Sequence, residues 1–229
     1  HIGRIVVHPT NPNIVYVAAL GAAWKGDTAR GLYKTTDGGT TWSKIKAGPN
    51  NTTGAIDIAM SPRDPNTLYL AMWQRIRTPY SLTSGGPGSG LFKSTDAGAT
   101  WTEIKGGGYP ETTKGRIGLA ISMSNPDVVY ALTEADSNPN AKPAPRTARQ
   151  TLKNGLYRSA DGGKTWERTN TADTRPFYYS QVRVHPKNPD RVWFSSTPIL
   201  VSNEGGKNAR TAVQAVHVDH HGMWIDPND

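Results

Sequence analysis

The 229-residue sequence has no cysteine. That excludes a disulfide framework, a zinc–thiolate centre and thiol catalysis, and it leaves the compartment open. Charged residues make up only 19%, below the roughly 25% of ordinary globular chains. No apolar run approaches the roughly 20 residues that a membrane-spanning helix needs. The sequence opens on His1, with no initiator Met and no signal peptide, and reads as a processed or excised part of something longer.

What is abundant is turn-forming and aromatic: 24 Gly, 17 Pro, 9 Tyr and 7 Trp. This composition rules out a coiled coil and most helical bundles, and the aromatic content argues against disorder. The net charge of +8 is largely diffuse. None of the recognised nucleic-acid-binding motifs appears, so no nucleic acid partner is expected. No cofactor is expected either.

Internal repetition decides the fold class. Three segments nearly coincide: Thr35-Thr36-Asp37-Gly38-Gly39-Thr40-Thr41-Trp42, Ser94-Thr95-Asp96-Ala97-Gly98-Ala99-Thr100-Trp101 and Ser159-Ala160-Asp161-Gly162-Gly163-Lys164-Thr165-Trp166. A fourth, worn copy begins at Ser202, with Glu204 in place of the Asp and Ala209 in place of the Trp. A second phrase precedes each copy, as in His8-Pro9 to Tyr16, Ser61-Pro62 to Tyr69, Ser124-Asn125 to Tyr130 and His185-Pro186 to Trp193. Each unit reads as four short strands. The prolines fall between strands, where a missing N–H costs no ladder bond. The Asp-Gly pair supplies the positive φ of a tight hairpin. Repeated four-stranded units of this length predict an all-β protein, a β-propeller of antiparallel blades. The blades fall at about residues 1–53, 54–114, 115–177 and 178–216, with 217–229 starting a fifth.

The S/T-x-D-x-G-x-T-W pattern is the Asp-box, or BNR repeat. It resembles that of sialidases, of the Vps10 domain of sortilin-like receptors, of xyloglucan-degrading glycosidases with paired propellers, and of photosystem assembly factors. The chain is most similar to large secreted bacterial BNR-repeat and sortilin/Vps10-like proteins. That closer resemblance is carried by Ser84 to Leu91, Arg175 to Gln181 and His217 to Pro227. It implies an extracellular or periplasmic setting, and it implies that Asp37, Trp42, Asp96, Trp101, Asp161, Trp166 and Glu204 are structural. A box of this kind says little about function.

Both ends of the chain have the same phase. Arg4 to His8 and Met223 to Asp226 each read as the innermost strand of a unit, so they cannot complete one shared blade. The ring is therefore expected to be incomplete, and its flanks to be covered by missing blades or by another chain.

The loops between the second and third strands are long: Leu20 to Arg30, Trp73 to Ser89 and Leu132 to Asn154. They share a face with the links between blades, and that face is where binding is expected. Arg4, Asp57, Arg116, Tyr179, Gln181 and His220 enter it near the axis. They form either a polar ring for an anionic or sugar ligand or a set of groups that satisfy one another. Trp24 and Trp73, with Tyr80, either stack on sugars or pack the loop bases. His217, Asp219 and His221 share one strand face as weak metal candidates. Same-face neighbours are about 6.6 Å apart, however, so three ligands around one ion would need a bend. Lys142, Arg146, Arg149, Lys153 and Arg158 make a basic, Pro-rich stretch that reads as an anion contact or as a solvated loop.

Three functions fit. The first is a secreted module binding protein or glycan through the loop-rich face. The second is a polysaccharide-acting glycoside hydrolase, which needs two carboxylates about 5–9.5 Å apart. Asp57 and Asp219 are weak axial candidates for that pair, with Glu134 and Asp136 in a loop, and part of the catalytic set would lie outside this chain. A sialidase would need an arginine triad, for which Arg4, Arg116 and Arg183 are available, but no family motif surrounds them. The third is a structural subunit of an extracellular assembly.

Overall fold

The computed structural model describes residues 1–136, 153–172, 175–194, 198–213, 217 and 220–227. It is built of four antiparallel sheets in chain order. The first holds β1 (Ile2–Val7), β2 (Val15–Ala19), β3 (Gly31–Thr35) and β4 (Ser43–Lys46). The second holds β5 (Thr53–Met60), β6 (Leu68–Arg77), β8 (Gly90–Ser94) and β9 (Thr102–Glu103), with β7 (Leu82–Ser84) paired to the outer part of β6. The third runs β10 (Lys114–Ile121), β11 (Val129–Ala135), β12 (Gly155–Ser159) and β13 (Glu167–Asn170). A one-turn helix, α1 (Pro176–Tyr179), leads into β14 (Val182–His185), β15 (Asn188–Phe194), β16 (Leu200–Ser202) and β17 (Arg210–Thr211). The innermost strands pack side by side, β1 on β5, β5 on β10 and β10 on β14. This is an arc of a β-propeller.

The boxes are polar knots. In the first, the Thr35 hydroxyl donates to Asp37 Oδ1 at 2.7 Å, and the Thr41 amide and hydroxyl donate to the same carboxylate at 2.9 and 2.5 Å. Trp42 Nε1 closes the turn on the Gly39 carbonyl at 3.0 Å. The pattern recurs around Asp96 and Asp161. In the worn copy Ser202 still accepts the Glu204 and Gly206 amides. The Glu204 side chain accepts from Asn208 Nδ2 at 2.8 Å, four residues on, where a Thr hydroxyl serves each intact box Asp.

The two repeated phrases meet within each blade. The box amides of Gly38, Ala97 and Gly162 donate to the carbonyls of Asn13, Asn66 and Asp127 in the turn between the first two strands, and that of Gly205 donates to the Asp190 carbonyl near the start of β15. The repeated Tyr joins blades. Tyr16 Oη donates to Ala97 O at 2.9 Å, and Tyr69 Oη donates to Gly162 O at 2.7 Å. The ammonium groups of Lys34 and Lys93 reach the same two carbonyls at 3.0 and 2.7 Å. In the first two blades the second-strand Tyr and third-strand Lys therefore clamp the next blade's box. The third blade departs from this pattern: Tyr130 Oη donates to Pro189 O at 2.8 Å, and Arg158 pairs with Asp190 at 2.8 Å.

Two expectations change. Trp73 to Ser89 is not a plain loop. β6 continues to Arg77 and turns at Thr78–Ser81, where the Thr78 amide donates to Ser81 O, and it returns as β7. The hairpin stands off the blade with Tyr80 at its tip, 98% exposed. Met223 to Asp226 is not a strand. It runs beside β14, held by Arg183 Nε on the Met223 carbonyl at 3.1 Å, because no second strand pairs with it among the described residues. At the other end β1 leaves Ile2, Ile5 and Val7 more than half exposed.

Candidate functional site on the loop-rich face

Three innermost strands carry a register irregularity at matching places: between Ile2 and Arg4, between Ala55 and Asp57, and between Lys114 and Ile117. Such bulges re-aim side chains. Gly3 lies within one of them, where a Cβ would sit 2.0 Å from the Ile56 carbonyl oxygen. Only glycine lets β1 and β5 approach so closely.

The bulges help bring Arg4, Asp57 and Arg116 to one polar cavity of about 120 Å³, which Gln181, Arg183 and His221 complete. Arg4 grips Asp57 with Nε on Oδ1 at 2.8 Å and Nη2 on Oδ2 at 3.3 Å. Asp57 also accepts the Ile58 and Leu119 amides, each at 2.9 Å. Burial lowers the Arg4 pKa, but Asp57 outweighs it and leaves the guanidinium above its ordinary value. Burial, helped by the charge of Arg4, holds Arg183 below its own.

A second cavity, of about 290 Å³, shares Gly3, Ile56, Arg116 and His221 with the first. One wall is the β6–β7 hairpin, whose alternation puts Trp73, Arg75 and Arg77 on one face. The other wall is Phe177 and Tyr178 of α1, fixed by Arg116 Nη1 on their carbonyls at 3.2 and 3.0 Å. The guanidiniums of Arg75 and Arg116 lie over the Trp73 ring at 5.3 and 5.7 Å, and that of Arg77 lies over Trp24 at 5.3 Å. A larger cavity of about 430 Å³ lies elsewhere, beside the Glu103–Lys105 ion pair and Lys114.

The candidates from the sequence divide accordingly. Arg4, Asp57, Arg116 and Gln181 meet at the inner cavity. Tyr179 does not open to it: α1 turns the ring inward, where it is buried and stacks on His221 at 5.8 Å. His220 lines a separate small cavity with Gln181, Arg183 and Met223. Trp73 is only 2% exposed and donates to Ser84 Oγ at 3.1 Å, so it supports the wall and offers no stacking face. Trp24, at 60%, is open to solvent and lines neither cavity, meeting the wider one only through Arg77 over its ring. Arg183 joins Arg4 and Arg116 at one cavity.

Of the acids, Asp57 is held as described, and Asp219 lies outside the described residues. Glu134 is buried; its Oε2 accepts Ser84 Oγ at 2.6 Å and the Arg116 amide at 2.8 Å. Burial pushes its carboxyl above the usual range, against those two hydrogen bonds and the charge of Arg116. Gly115 makes this approach possible, since a Cβ there would lie 2.0 Å from Glu134 Oε2. Asp136 accepts the Lys153 amide. For the metal candidates, His217 is exposed and the His221 ring packs edge-on to Tyr178 at 4.7 Å. No group of three or more metal-ligating side chains gathers among the described residues. Lys142, Arg146 and Arg149 also lie outside them, while Arg158 belongs to the blade clamp.

Sequence reasoning missed Arg75, Arg77, Phe177 and Tyr178. The alternation continuing from Trp73 through Arg75 to Arg77 was the available signal.

The class of the protein follows: it is a β-propeller of Asp-box blades. Residues 157–168, in the third box, match the BNR/Asp-box repeat. The chain is 27% identical over 192 residues to the xyloglucanase Xgh74A of Acetivibrio thermocellus, covering 72% of this chain and 19% of the enzyme. It is 28% identical over 186 residues to a sialidase of Bacteroides fragilis, covering 68% and 31%. Its fold is similar to that of a GH74 enzyme of Niastella koreensis (TM-score 0.61, 23% identity, covering 90% of this chain and 30% of that one). It is similar also to a GH74 xyloglucanase of Xanthomonas campestris (TM-score 0.59, 22% identity, covering 89% and 28%). The chain thus spans about a fifth of the length of the xyloglucanase it matches.

Proposed function

We propose that the chain forms part of a polysaccharide-acting glycoside hydrolase and supplies one wall of its glycan-binding cleft. The observation that carries this is the pair of joined cavities between the β6–β7 hairpin and α1, lined by Tyr178 and guanidinium donors, with the exposed Trp24 ring beside them under Arg77. Sugar rings stack on rim aromatics, and fixed donors bind hydroxyls. The names of the similar proteins, two of them xyloglucanases and one a sialidase, support a glycan as the ligand. In this reading Asp57 and Glu134 organise the cleft, since each already accepts two or more hydrogen bonds from the protein, and catalytic carboxylates come at least partly from outside the chain. An extracytoplasmic setting goes with a polysaccharide substrate. The exposed apolar pair Ile5 and Val7 on β1 goes with further blades packed against it.

The test is release of reducing ends from xyloglucan and other polysaccharides by the protein carrying this chain. Trp24→Ala and Tyr178→Ala are each expected to raise KM by about tenfold with a smaller effect on kcat. Glycan binding without any hydrolysis would favour a binding module instead. Failure to bind any polysaccharide would overturn both readings.

A further inference from the structure

We infer that the ligand of this cleft is an acidic glycan, one bearing carboxylate or sulfate groups; the inference rests on the glycan-binding role proposed above. The joined cavities gather Arg75, Arg77, Arg116, Arg4 and Arg183. Asp57 is the one acid among the described residues lining them, and it is already met by Arg4 and two backbone amides. Arg75 and Arg77 form no salt bridge among the described residues. Arg75 lies below its ordinary pKa, first through burial and then through the charges of Arg77, Arg30 and Arg116.

A neutral sugar leaves this mutual repulsion in place, whereas an anion relieves it. The geometry also suits an anion. Arg75 and Arg77 stand two residues apart on one strand face, about 6.6 Å along it, and Arg116 faces them from β10. All three guanidiniums rest on indole rings. Stacking holds such forks ready for planar oxyanions. A run of acidic sugars would meet charge first at the hairpin and then at the inner cavity.

The experiment is calorimetric titration of the full chain with three probes: a galacturonate hexamer, a heparin-derived hexasaccharide and a neutral xyloglucan heptasaccharide. Each is run at about 50 and about 500 mM salt, a range over which exposed charges become screened. At least one acidic probe is expected to bind about tenfold tighter than the neutral one and to lose about tenfold at high salt. Which acidic probe binds separates carboxylate from sulfate. The double variant Arg75→Ala/Arg77→Ala should lose about tenfold in affinity for that probe. Arg75→Lys/Arg77→Lys should keep the salt dependence, which separates lost charge from lost folding. Arg63→Ala, at a remote ion pair with Asp127, should change nothing. Equal, salt-insensitive binding of the neutral probe overturns the acidic ligand and leaves the glycan reading standing, as does full retention of acidic-probe binding by the double alanine variant. A chain that melts normally and binds none of the probes overturns both.

Discussion

At the residue scale, the three intact box carboxylates carry much of the local order. Asp37, Asp96 and Asp161 are each held down to about 2 by hydroxyl and amide donors of their own turns. A carboxylate whose folded pKa lies below its unfolded value stabilises above the unfolded value, here 3.8, and loses that contribution as pH falls through the folded one. Asp161→Asn should therefore lower the melting temperature at pH 7, with the gap to wild type closing between about pH 4 and pH 2. A constant gap across that range, read by thermal melts, would show that the carboxylate's charge is not what matters. Glu134 has the opposite sign. Its raised pKa means that its ionisation costs stability as pH rises above the ordinary carboxylate range. Glu134→Gln, which keeps an acceptor for Ser84 and the Arg116 amide, should melt at or above wild type at pH 7. The box tryptophans differ in the same graded way. Trp166 is 6% exposed and packs on Tyr109 at 5.2 Å, so Trp166→Ala should cost about 3–5 kcal/mol. Trp42 is 43% exposed, and Trp42→Ala should cost under about 1 kcal/mol. Denaturant titration of the two variants makes the comparison.

At the element scale, the first three blades are joined by a hydroxyl and an ammonium group converging on one box carbonyl. Tyr69→Phe removes one donor to Gly162 O while Lys93 keeps the other. The expected loss is about 0.5–1.5 kcal/mol, read by equilibrium unfolding. The two repeated phrases made the blades legible, because Pro, Asp-Gly and alternating apolar residues each have a local cause. The joint between blades was not legible, although its Tyr stands in every intact phrase: what it touches lies a whole blade away. The bulges at Gly3, Ile56 and Arg116 escaped for a related reason. A bulge adds one residue to one strand, and the alternation on either side still reads as a strand. The hairpin of β6 and β7 was hidden by Thr78-Pro79, which looks like the end of a strand and is its turn. Arg4, Asp57, Arg116 and Gln181 were read together because all four fall on or beside innermost strands, and they line one cavity. Tyr179 was misplaced because a single helical turn, opened by Arg175 at φ 52°, rotates its ring into the core.

At the scale of the whole molecule, the arc has a closed interior and an open end. Clusters around Tyr69, Leu68 and Tyr130 fill the spaces between blades, while Ile5 and Val7 are exposed side by side on β1 and Ile2 lines the wider of the joined cavities. A row of apolar side chains on an innermost strand is what a neighbouring blade would cover. The cleft belongs to the interior of the arc, where three bulged strands and one hairpin converge, and it depends on the order of the blades more than on any one loop. The most direct measurement is a structure of the full chain with an oligosaccharide bound. The account predicts sugar rings between the β6–β7 hairpin and Tyr178, with oxygens in reach of Arg75, Arg77 and Arg116. Sugar bound instead at the Glu103–Lys105 cavity, with the hairpin cleft empty, would contradict it.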